Sequence, residues 1–90
     1  MDEIKLSRAQ GRGRQAEELL KNELLQETFK YLTDEYIAAW RRTAVKDTEG
    51  REKLWQAVQI VSLVNDHIRK FVDDGKIATK DLASIKYLKS

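Results

Sequence analysis

Leu54-Trp55-Gln56-Ala57-Val58-Gln59-Ile60-Val61-Ser62-Leu63-Val64-Asn65-Asp66-His67-Ile68-Arg69-Lys70-Phe71-Val72 is the stretch that decides the fold. Leu54, Val58, Val61, Asn65, Ile68 and Val72 follow one another at alternating four- and three-residue steps, which keeps them on one stripe of a helix facing a partner helix. A matching stripe, Leu25, Phe29, Leu32, Tyr36 and Ala39, runs through the first half, and the polar Lys46-Asp47-Thr48-Glu49-Gly50 separates the two. The pattern predicts an all-α chain: a long antiparallel helical hairpin with a short C-terminal third helix and a flexible N-terminal arm.

Composition agrees with helix and bounds the core. The 90 residues include no proline and four glycines, and 36% are charged against 41% hydrophobic. A chain this small draws only a few kcal/mol from its own burial unless disulfides, metals or self-association add to it. With no cysteine and one histidine, self-association is the expected stabiliser. The opening Met-Asp-Glu-Ile-Lys lacks the layout of a signal peptide, and no apolar run approaches the roughly 18 residues needed to span a bilayer. The expected setting is the cytoplasm of the cell that makes it, without a membrane partner.

The net charge of +2 is unevenly spread. Lys5, Arg8, Arg12 and Arg14 outnumber Asp2 and Glu3 over residues 1–15, while Lys76, Lys80, Lys86 and Lys89 outnumber Asp81 over residues 75–90. The intervening body is acidic. Basic ends of this kind suit phosphate or an acidic protein surface, and equally the solvated tails of small helical proteins.

Along the chain, Gly11 and Gly13 together cost a helix about 2 kcal/mol relative to alanine, so residues 1–14 are expected to form a basic arm. Residues 15–90 then form a single hairpin domain. Helix is expected from about Gln15 to Val45, and again from a Thr48 N-cap to Asp74-Gly75, where glycine can close a helix in the left-handed conformation. Thr79 would cap a short third helix from Lys80 to about Leu88. Folding about residues 47–48 sets Trp40 opposite Trp55, Tyr36 opposite Val58, Leu32 opposite Val61 and Leu25 opposite Ile68.

No residue set reads as catalytic, cofactor-binding or metal-binding. His67 has no second histidine or any cysteine to join it, and Gly11-Arg12-Gly13-Arg14 lacks the lysine–serine/threonine ending of a phosphate loop. Asn65 is the polar member of an apolar stripe, a position that can fix register or strand number, or lie at the stripe's edge against water. Ile60, Val64 and Phe71 flank the main stripe, with Trp55 and Leu63 further round, more apolar surface than one partner helix covers. Trp55, Leu63, Asn65 and Phe71 are therefore the candidates for oligomer contact. Arg8, Arg12, Arg14, Lys86 and Lys89 are the candidates for nucleic acid.

The segment Trp40 to Trp55, with Leu19-Leu20-Lys21-Asn22-Glu23-Leu24 before it and Asp74-Gly75-Lys76-Ile77-Ala78 after it, resembles small helical proteins encoded by tailed bacteriophages and prophages. Genes of that group tend to lie among those for DNA packaging and virion assembly. The resemblance spans about residues 16–80 and implies a homo-oligomeric, non-enzymatic protein serving packaging or assembly, in the host cytoplasm or the virion, with DNA and other packaging or virion proteins as partners. A self-associating hairpin is also similar to the oligomerisation segment of small terminase subunits, although a separate helix-turn-helix domain is missing here. The alternative is a small regulatory module that inhibits or adapts a host or phage protein through an apolar helix face.

Overall fold

The computed structural model describes residues 2–89, the side chain of Lys89 excepted. Three α-helices account for nearly all of them: α1 (Glu3–Lys21), α2 (Glu23–Arg42) and α3 (Thr48–Lys89), with no strand among the described residues. The all-α expectation holds, while several boundaries differ for identifiable reasons.

The expected flexible arm is helical. The Asp2 carboxylate accepts from the Ile4 N–H at 2.9 Å and starts α1, which then continues through Gly11 and Gly13. Gly13 is buried against Gly75, and a Cβ placed on either would lie 2.8 Å from the Cα of the other. Only residues without a side chain permit that approach, and the dispersion gained there offsets the roughly 1 kcal/mol that each glycine costs a helix. Gly75 therefore does not end a helix: no glycine has a positive φ, and α3 runs on. The separate third helix is absent, and the Thr79 hydroxyl donates to the Gly75 carbonyl at 2.9 Å within the continuous α3.

The expected helix from Gln15 to Val45 is two helices, because Asn22 leaves helical geometry at φ −70°, ψ 112°. Its side-chain oxygen accepts from the Leu25 N–H at 2.9 Å, the N-cap bond that asparagine makes well. At the other end of α2, Thr43 is extended, and α3 is capped by Asp47 rather than Thr48: the Gly50 N–H donates to Asp47 Oδ1 at 3.0 Å.

The chain divides into two compact units, one holding Met1–Lys21 and His67–Ser90, the other Asn22–Asp66. Residues 2–14 are thus part of a folded unit. In the first unit, Leu6, Ala16 and Ala78 are the buried apolar side chains, and Gln10 Nε2 donates to Thr79 Oγ1 at 3.0 Å. In the second, Leu25, Phe29, Leu32 and Tyr36 of α2 and Leu54, Val58 and Val61 of α3 are half-buried, and α2 contributes no fully buried residue. Trp40 and Trp55 line one hollow, as a fold about residues 47–48 expects, and the guanidinium of Arg51 reaches back over the Trp40 ring.

Candidate interaction surfaces

The second unit is fastened beside its connecting turn. Thr43 closes α2 by donating both its N–H, at 3.2 Å, and its hydroxyl, at 2.6 Å, to the Trp40 carbonyl. Arg51 Nη1 donates to Thr43 Oγ1 at 2.9 Å, and its guanidinium lies 4.0 Å from the centre of the Trp40 ring. This combines a cation–π contact with a C-terminal cap, and the favourable sign of a cation at a helix C-terminus adds to both. Beneath it Ile37, Trp40, Leu54, Trp55 and Val58 line a hollow of about 200 Å³. The two tryptophans thus share one apolar site, in keeping with the expected pairing. Trp55 is 55% exposed, which leaves the hollow open to an incoming apolar group.

Asn65 lies half-buried among the stripe residues, and its Oδ1 is buried without a hydrogen-bond partner. Gln26 Nε2 is in the same condition within the same unit. One orphan is an acceptor and the other a donor, so this unit holds two polar groups whose desolvation is uncompensated. Asn65 belongs to the seam of its own unit, whereas Leu63, another oligomer candidate, is 62% exposed.

The first unit separates the basic candidates. Lys5, Arg8 and Arg12, at helical spacings of three and four, line one groove together with Ala9, Phe71 and Asp74. Arg14 lines a different groove with Glu17 and Lys76, so the three arginines do not share a surface. Lys86 is exposed near the end of α3, and the side chain of Lys89 lies outside the described residues. Lys5 was not among the sequence candidates; its place beside Arg8 and Arg12 becomes legible only once residues 1–14 are known to be helical. Phe71 is 37% exposed, makes an edge-on ring contact with His67 at 5.1 Å, and lines the grooves along α1.

Among the described residues no group of three or more His, Cys, Asp or Glu converges as a metal site would require. Among the described residues no helix is long and apolar enough to cross a membrane. The ion pairs Lys21–Glu17 and Lys53–Glu49 are exposed i,i+4 contacts, of a kind that supports a helix by only a few tenths of a kcal/mol. No family model, characterised protein or solved structure matches this chain.

Proposed function

We propose that this chain is a non-enzymatic, self-associating helical protein that serves phage DNA packaging or virion assembly, in the host cytoplasm or the particle. Its exposed apolar side chains carry the reading. Leu6, Ala16 and Ala78 make a small core, while Leu24, Tyr31, Ile60 and Leu63 are each more than 59% exposed. Exposed apolar side chains of this kind suit burial against further chains. The phage setting rests on the sequence resemblance alone.

Within each unit the paired helices run antiparallel in this reading. The short connection at residues 43–47 and the Trp40–Arg51 contact support it in the second unit. In the first, Gln10 with Thr79 and Gly13 with Gly75 support it, because the numbers rise along α1 as they fall along α3. The groove of Lys5, Arg8 and Arg12 is the candidate face for DNA.

The test is absolute mass by light scattering across concentration, with and without short duplex DNA at low and moderate salt. A multi-chain mass that takes up DNA supports the packaging reading. A 10.5 kDa particle indifferent to DNA overturns it. That second result favours the regulatory module, whose specific support is the open hollow between Trp40 and Trp55, sized for an apolar side chain from a partner.

A further inference from the structure

We infer that the side of the first unit where Phe71 stands between two hollows takes single-stranded DNA, with phosphates on Lys5, Arg8 and Arg12 and unpaired bases against the Phe71 ring; this rests on the DNA reading of that groove proposed above. The three cations follow one another along α1 at steps of three and four, a row about 10 Å long. All three are exposed, and among the described residues neither ion pair engages any of them. They line a hollow of about 310 Å³ that Phe71 and Asp74 help to close. Arg12 and Phe71 also line a second hollow of about 260 Å³, whose other walls are the apolar Ala16, Leu19 and Ile68 with the Gln15 amide. Phe71 thus belongs to a basic compartment and to an apolar one. The glycine crossing is what sets it there: the Phe71 carbonyl oxygen lies 3.1 Å from the place a Gly13 Cβ would take, so the backbone of α3 at this residue is held close against α1. The ring is 37% exposed, and its edge-on contact with His67 occupies at most one of its faces.

Each part of this arrangement answers one part of an unpaired nucleotide. A row of cations tracks a sugar–phosphate backbone, and an exposed ring beside it stacks bases whatever their sequence. In a duplex the base faces are already stacked on one another and only their edges are offered in the grooves, so a duplex meets the cations without the ring. A single strand meets both. Asp74 is the one carboxylate on the basic hollow. It repels a phosphate, but it can accept from a base amino group as carboxylates do from cytosine, and so it suits that wall to a base. An acidic peptide would answer the same cations, but a chain of carboxylates brings no planar ring to Phe71.

The test is fluorescence anisotropy across salt with a short labelled oligothymidylate, a duplex of the same length, and polyglutamate of equal charge as competitor. The unaltered protein should bind the single strand about tenfold more tightly than the duplex, and polyglutamate should not displace it. Phe71→Leu should weaken the single strand about tenfold while leaving its salt slope and the duplex affinity unchanged, and Phe71→Tyr, which keeps the ring, should bind as the unaltered protein does. Changing Lys5, Arg8 and Arg12 together to glutamine should instead lower the slope by about 2, roughly 0.7 for each phosphate on a single strand. Equal affinity for strand and duplex, an unchanged affinity in Phe71→Leu, or displacement by polyglutamate overturns the single-strand assignment; in the first two cases the DNA reading of the groove stands. Binding of neither form overturns both. A second measurement needs no variant to fold: oligothymidylate carrying iodouracil, photo-crosslinked to the unaltered protein and mapped by mass spectrometry, should join to Phe71. Crosslinks confined to Trp40 or Trp55 of the second unit overturn the assignment.

Discussion

Gly13 of α1 and Gly75 of α3 stand Cα against Cα, so that a methyl group on either would press to 2.8 Å from the backbone of the other. The added Cβ would also lie 3.1 Å from the Phe71 carbonyl oxygen at Gly13, or 3.2 Å from that of Ala9 at Gly75. Backbone cannot step aside as a side-chain tip can. The crossing therefore depends on both residues remaining glycine.

Gly11 and Gly13 should consequently respond to alanine with opposite signs. Around Gly11 there is nothing within 4 Å, so Gly11→Ala gains helix propensity and raises stability by about 0.5–1 kcal/mol. Gly13→Ala and Gly75→Ala force the helices apart and lower it by about 1–3 kcal/mol. Urea titrations followed by circular dichroism measure all three; a gain at Gly13 would disprove the close crossing.

Asn65→Leu should stabilise the chain by about 1 kcal/mol, because it removes a buried acceptor that has no partner and adds apolar surface to the seam. If Asn65 also sets register, the assembly mass changes with it, and an unchanged mass leaves it without that role. Gln26→Leu, which removes the orphan donor, should act in the same direction.

Arg51→Ala removes both the stacked cation above Trp40 and the bond to Thr43, with an expected loss of about 1–2 kcal/mol. Arg51→Lys keeps the charge but not the planar group, and should recover less than half of that loss. A change in tryptophan fluorescence should accompany both, and its absence would place Arg51 elsewhere in solution.

Lys5, Arg8 and Arg12 share a groove that excludes Arg14. If that groove holds duplex DNA, changing all three to glutamine should flatten the logarithmic salt dependence of binding by about 2–3, roughly 0.9 for each phosphate no longer neutralised. Arg14→Gln should leave the slope as it was. A reversed ranking would move the DNA face to the other groove.

The stripe from Leu54 to Val72 was legible because it needs only local spacing, and its members are indeed half-buried. Gly75 was misread for the opposite reason. A glycine after Asp73-Asp74 matches a helix stop, and the feature that keeps it helical is a second glycine far away in the chain. The expected arm failed with it, because Gly13 and Gly75 explain each other and neither explains itself. Asn22 carried a readable cap signal, obscured by apolar spacing that continues on both sides of it. Asp47 and Thr48 are adjacent capping residues, and spacing alone does not choose between them. Lys5 was lost as a candidate because a helical face has no meaning in a segment taken to be mobile.

The small size of the sealed interior has a thermodynamic consequence. Among the described residues only Leu6, Ala16 and Ala78 are buried apolar side chains, and the seam is half-buried, so unfolding one isolated copy releases less apolar surface, with a smaller heat-capacity change, than unfolding a globular chain of equal length. Whatever surface association removes from water is added to that change. The melting temperature of an associating chain then rises with its concentration by mass action, and its resistance to heat becomes a property of how much of it is present.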